Sequence, residues 1–373
     1  MKKKYVLFSI VTLVLLVALI TSFNYFKTTN TYIDDSVNNQ TKITKGISMN
    51  LEQTAGAGDY KTVTQSSWPT EGYKFNAELS RCENGSTLSW DDTKKAVIVS
   101  GNLSDKCYVY FDIYQPTLAE YIKSQYTGTQ GDNGIYYHNS TLANGAGDNS
   151  YRNAGASDSV NNYICLGSDA ATCPDANLFR IIGVFGNQTK VIRAKSVGDK
   201  QWHTSQVNTW SSSSLNTYLN GEYLTSLGTL ADKIATTTCK VGGGSWANIG
   251  TSVPKTAYQY EVGSNASSTT NDAKIGLMYV SDYGFAADQS GWTTKLSSYS
   301  SNTSKNWLYL GSDEWTISRY SGTTFSAFFV DSTGNVSSDS VTLSCAVRPS
   351  FSLLSSITYV SGSGSMSDPV RVN

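Results

Sequence analysis

Catalysis near neutral pH needs poised acids, bases, nucleophiles or metals, and this chain of 373 residues is poor in them. Its two histidines, His138 and His203, lie far apart among Gly/Asn and Ser/Thr residues. No C-x-x-C, H-E-x-x-H or G-x-S-x-G occurs, so zinc and nucleophile-elbow chemistry have no starting point. Asp148, Asp158, Asp169 and Asp175 fall in Gly/Asn/Ser-rich loops able to offer oxygen ligands. Their spacing matches no EF-hand, and turn formation accounts for them. The sequence therefore indicates no catalytic residue, no metal set and no cofactor.

The six cysteines are the remaining reactive groups. An even number in an exported chain reads as disulfides. Of the 15 possible pairings, position suggests Cys82 with Cys107, which share the first domain, and Cys165 with Cys173, which bracket a short loop; Cys239 and Cys345 are then left to each other across a long stretch. Buried free thiols are the alternative.

Binding chemistry is better supplied, with 8 Trp and 24 Tyr. Trp246, Trp292, Trp307 and Tyr309 fall in or beside Gly/Ser/Asn-rich stretches, where a flat ring can stack on a sugar or anchor a protein. The loops between Gly242 and Trp307 are therefore the expected recognition face, with capping of the core as the competing role. For Trp202, Trp210 and Trp315 the core is preferred. Arg348, inside an apolar strand, reads as a buried arginine bonded to a carboxylate or to loop carbonyls, with Asp282 and Glu314 as candidate partners; a substrate-binding arginine is the alternative.

These side chains must be carried by an ordered framework. Lys2, Lys3 and Lys4 precede an uncharged apolar run from Tyr5 to Phe26, long enough for a bilayer. The expected topology is a single-pass signal anchor over 1–27, N-terminus cytoplasmic and bulk extracellular. A cleaved secretory signal is the competing reading, disfavoured by the run's length and the lack of an A-x-A-like site. Residues 28–45 read as a polar stalk, 46–114 as a small all-β domain that a Cys82–Cys107 staple would support, and 115–373 as a larger α+β domain. Pro116 marks the boundary, with Thr117 and Glu120 forming a capping box behind it. Strands are expected at 179–185 and 189–193, joined through Gly186-Asn187, and at 274–280, 326–330 and 347–353. One helical pair is expected between Ser213 and Leu227, broken at Asn220-Gly221. A net charge of −1, from 28 basic and 29 acidic residues, leaves no footprint for nucleic acid.

Taken in order, Leu178-Phe179-Arg180-Ile181-Ile182-Gly183-Val184, Trp210 with the Leu215 to Asn220 helix, Ile275 to Tyr283, Glu314 to Arg319 and Ala346 to Phe351 resemble an uncharacterised family of bacterial surface modules. That family looks like a distant relative of the C-type-lectin-like and formylglycine-generating-enzyme folds. The resemblance spans roughly Gln115 to Asn373, and the segment from Gly46 to Asp112 is similar to a small β-module that often precedes such domains. It implies a lectin-like head presented to glycan or surface-protein ligands. The oxidase relatives would imply a redox-active cysteine pair near the C-terminal end. Here Cys345 stands alone in that region, and the calcium-dependent sugar triplets are absent. A binding or adhesion protein tethered to the membrane is the function expected, with a divergent oxidase or hydrolase, or a structural surface component, as alternatives.

Overall fold

The computed structural model describes residues 46–373 apart from positions 65, 66, 70, 71 and 103. The expected membrane helix (1–27) and stalk (28–45) lie outside these residues. The expected fold class needs correction. Among the described residues no helix is long and apolar enough to cross a membrane. The chain is β-rich, and its helices are short pieces scattered between strands, not one pair. The described residues divide at Gln115 and Pro116 into two units.

In the first unit β1 (Ile47–Glu52), β2 (Tyr60–Val63), β3 (Tyr73–Cys82) and β6 (Cys107–Ile113) form one sheet in the order β2-β1-β6-β3, and β4 (Thr87–Asp91) pairs with β5 (Ala96–Ser100). Alternation does the sorting: Cys107, Val109 and Phe111 of β6 are buried while Tyr108 and Tyr110 are partly exposed. With Met49, Leu51, Trp68 and Val97 they form a small core. Cys82 and Cys107 stand opposite each other in the β3–β6 register and are bonded. Limiting the unfolded chain in this way contributes roughly 3–4 kcal/mol. The buried Asp105 carboxylate accepts the Asn84 and Ser86 N–H groups at 2.9 and 3.1 Å and holds the Asn84-Gly85 turn.

The second unit begins at α1 (Leu118–Ser124). Thr117 Oγ1 accepts the Glu120 N–H, and Glu120 accepts the Thr117 N–H, so both orphan donors are satisfied. Next come β7 (Ile135–Tyr137), β8 (Tyr151–Asn153), β9 (Tyr163–Cys165), β10 (Leu178–Phe185) and β11 (Gln188–Arg193). Strand β10 is apolar except for the buried Arg180, because both of its faces are covered. Phe179 and Ile181 join a cluster with Trp202, Trp210 and Trp315, while Ile182 joins another with Tyr283, Trp307 and Phe328. The β10–β11 hairpin turns at Gly186, whose φ of 62° suits glycine. Gly183 has no room for a Cβ against the Tyr151 carbonyl, and this is what lets β8 lie on β10.

The remaining strands are β12 (Asp199–Gln201), β13 (Thr237–Lys240), β14 (Thr270–Ala273), β15 (Glu314–Arg319), β16 (Ser326–Val330), β17 (Val336–Ser340), β18 (Ser344–Ala346), β19 (Ser350–Ser352), β20 (Tyr359–Ser361) and β21 (Val370–Val372). One sheet runs β19-β11-β10-β9-β21-β20, with β8 and then β7 added on β10; the other runs β12-β18-β15-β16-β17.

Two local expectations fail for physical reasons. The helical run is continuous from Ser214 to Ser226, with a π turn at Leu219–Tyr223, because the Asn220 side chain clamps it: its amide donates to Ile275 O and its oxygen accepts the Lys274 and Ile275 N–H groups. The expected strand at 274–280 shrinks to one bridge, Gly276 to Ser350, since Asp282 caps Tyr279 and starts a helix at Val280–Phe285.

Cys165 and Cys173 are bonded, but Cys239 and Cys345 are not. Cys239 sits on the β13–β14 ribbon and Cys345 on β18 of another sheet, and both thiols are free. Burial pushes the Cys345 thiol up to about 12, with nearby Asp313 adding to the effect. Alkylation in denaturant should therefore label both Cys239 and Cys345, whereas under native conditions Cys345 should stay unlabelled, as read by peptide mass mapping.

Candidate functional site

The expected recognition face is not assembled. Trp292 is fully buried against Tyr136, His138 and Phe285, with its Nε1 donating to Ala287 O at 2.9 Å. Trp307 is also buried; its Nε1 donates to Asn153 O at 2.7 Å, and the Arg180 guanidinium lies 4.7 Å from its ring. Trp246 stacks parallel to Phe328 at 6.0 Å, and the half-buried Tyr309 donates to Ser332 O at 2.6 Å. The small polar residues that made these stretches look like loops instead form tight helical turns around the rings, at Val280–Phe285, Gln289–Thr293 and Leu296–Lys305. Trp202, Trp210 and Trp315 are core residues.

Arg348 is buried and bidentate on Glu314, with Nε–Oε1 and Nη2–Oε2 each 2.7 Å and a further bond from Nη2 to Leu308 O at 2.5 Å. Burial raises the Glu314 carboxyl above its ordinary value against the pull of Arg348. Asp282 is not a partner of Arg348. Its oxygens face Lys190 Nζ at 2.5 Å and Arg152 Nη1 at 3.5 Å.

A different surface does come together, on β7 and β8. Their register pairs Ile135 with Asn153, Tyr136 with Arg152 and Tyr137 with Tyr151. Because successive side chains alternate between faces, Tyr137, Tyr151, Ile135 and Asn153 share one face, while Tyr136 and Arg152 share the other. On the first face the Tyr137 and Tyr151 rings stack at 4.5 Å and Tyr126 meets Tyr151 edge-on at 5.7 Å. All three rings are half-buried. Two residues along the same strands, Ile135 and Asn153 line a cavity of about 90 Å³ whose polar wall is Gln125, Asn133, Asn161, Asn162 and Ser363. Its far side is Tyr121, stacked flat on Tyr359 at 3.6 Å, and both hydroxyls donate to Gly362 O. No charged side chain lines it.

Two sets of tyrosine faces thus flank a hole walled by amides, groups that both donate and accept hydrogen bonds. At about 90 Å³ the hole admits only small groups. A larger open cleft of about 630 Å³ lies beside the Cys165–Cys173 loop, but no aromatic ring lines it. Its Arg371 is already bonded to the Ser168, Ala170 and Ala171 carbonyls. The tyrosine face escaped sequence reasoning because Tyr126, Tyr137 and Tyr151 converge from separate segments; the one available signal was the density of Tyr and Asn between 121 and 153.

The opposite face of β7 and β8 is buried and charged. Arg152 pairs with Asp148 at 2.7 Å and lies within 4.7–5.2 Å of the Phe185, Tyr258 and Phe285 ring centres. Burial, helped by Arg152, holds His138 well below its ordinary range; its Nδ1 accepts the Ala146 N–H. Glu261, fully buried, accepts the Val280 and Ser281 N–H groups and the Ser318 hydroxyl, and burial pushes its carboxyl up to about 7. Among the described residues no group of three or more His, Cys, Asp or Glu side chains gathers as a metal site.

A protein family described as a domain of unknown function (DUF6273) matches residues 186–355. The tyrosine face, at 121–153, precedes the matched stretch. No curated protein and no solved structure matches the chain, so the lectin-like and formylglycine-generating resemblance gains no support from them.

Two outcomes follow from the burial. Trp292→Ala should cost ~3–5 kcal/mol in denaturant unfolding, as a buried ring does. The Glu261 carboxyl is neutral in both states at low pH, and above its ordinary 4.5 it ionises first in the unfolded chain. Its contribution is thus complete below 4.5 and is lost as pH rises to about 7, by at most ~3 kcal/mol. His138 works in the opposite sense, so the test is the difference between wild type and Glu261→Gln: the variant's thermal midpoint should fall less between pH 4.5 and 7.

Proposed function

We propose that the chain is an extracellular binding module that recognises a neutral glycan through Tyr126, Tyr137 and Tyr151. Two disulfides fit an extracellular or secreted protein. The observation that carries the ligand class is the pairing of stacked, half-exposed tyrosines with a cavity wall of uncharged amides on one face of β7 and β8. Sugar rings offer C–H faces to aromatic rings and hydroxyls to amides, which is the complement of this surface. The reading is non-enzymatic. The buried carboxylates Asp282, Glu314 and Glu261 and the half-buried Asp148 are engaged in ion pairs and backbone caps, and a thiol as weakly acidic as Cys345 makes a poor nucleophile for oxidase chemistry.

Glycan-array screening of the full chain, followed by calorimetry, tests this. Tyr137→Ala and Tyr151→Ala should each weaken binding of a neutral oligosaccharide by more than ~1 kcal/mol while changing stability by no more than ~1 kcal/mol. Binding confined to charged glycans, or unaffected by either substitution, would place recognition elsewhere.

A further inference from the structure

Lys190 on β11 and Asp282, in the helix Val280–Phe285, are far apart in sequence yet stand in contact, Nζ to Oδ2 at 2.5 Å. Their side chains are 16% and 3% exposed. The Tyr279 ring lies 4.9 Å from Nζ and that of Phe185 at 5.9 Å. Oδ2 also accepts the Tyr279 N–H at 2.9 Å, and Oδ1 faces Arg152 Nη1 at 3.5 Å. Arg152 is itself fixed by Asp148 and by three aromatic rings. An amine and a carboxyl are thus held together in a nearly dry site, with a fixed cation on the oxygen that the amine does not touch.

We propose that this is a site of self-catalysed amide formation, in which Lys190 and Asp282 become covalently joined. A proton passes from the Lys190 ammonium to Oδ2, leaving a neutral amine and a carboxylic acid. Nζ then attacks the carboxyl carbon, forming the N–C bond while the C=O electron pair moves onto Oδ1 beside Arg152. A second proton passes from nitrogen to Oδ2, the C–Oδ2 bond breaks, and Oδ2 leaves as water. Ammonium and carboxylate become amide and water; no oxidant, reductant or metal takes part.

Contact between the reacting groups, Nζ against Oδ2, supplies the entropic advantage of an intramolecular reaction, and Arg152 Nη1 faces Oδ1, where negative charge develops. The product removes one ion pair from a place where desolvation is costly. It leaves Arg152 and Asp148 still balanced, so no charge is stranded. The cross-link would tie β11 to the Val280–Phe285 helix.

Tryptic mapping of the denatured, reduced full chain decides the matter. In wild type, cleavage after Lys190 should be lost, and residues 181–193 and 275–295 should appear as one branched peptide whose mass is their sum less one water. Lys190→Met should release residues 275–295 as a linear peptide. Efficient cleavage after Lys190 in folded wild type, with residues 275–295 recovered linear at their unmodified mass, would overturn the assignment and leave a plain ion pair; so would a branched species that survives Lys190→Met.

Discussion

A guanidinium taken out of water costs several kcal/mol unless its N–H groups all find acceptors, and the second unit buries three of them, Arg152, Arg180 and Arg348. Each is satisfied differently. Arg348 has one bidentate carboxylate, and Arg152 has two carboxylates and a cage of rings. Arg180 relies on neutral acceptors: Asn162, Ser157 and the carbonyls of Trp307 and Val160, with Tyr163 and Trp307 against its plane. Burial lowers it to about 10, which still leaves it charged at neutral pH. These demands fix where loops 148–162 and 307–314 must run, because moving any of them strands a charge.

The same demand shapes the outer surface. Burying Arg152 through β8 fixes which face of that strand turns inward, and alternation then sends its neighbours Tyr151 and Asn153 the other way. The tyrosine face and the charged interior are two sides of one strand pair. A chain with only 15% charged residues can place several of them inside and leave tyrosines and amides to meet the exterior.

Local chemistry was readable in the sequence where it depended on neighbours along the chain. The Thr117–Glu120 box, the Gly186 turn and the short-range cysteine bonds are such cases. What failed depended on convergence. Trp292 and Trp307 look like loop residues until distant segments close over them, and nothing local to Asp282 announces that Lys190 and Arg152 will reach it before Arg348 does. The apolar character of 274–280 was real, since Ile275, Leu277, Met278 and Val280 are all buried. The Asp282 cap turns the chain into a helix at Val280 before that segment can form more than the Gly276–Ser350 bridge. Tyr126, Tyr137 and Tyr151 were equally invisible as a group, because their convergence is set by the β7–β8 register.

One feature of the first unit bears on how it responds to load. Among its described residues the first and last strands, β1 and β6, run parallel side by side, with five register pairs from Ile47–Cys107 to Leu51–Phe111. Tension applied at the start of β1 and the end of β6 therefore pulls these strands lengthwise past each other, so their hydrogen bonds resist together instead of opening one at a time as in a peeled hairpin. The Cys82–Cys107 bond shields the chain between those two residues from that tension, so less length is released if the sheet yields. Such a unit behaves as a stiff link rather than an extensible spring.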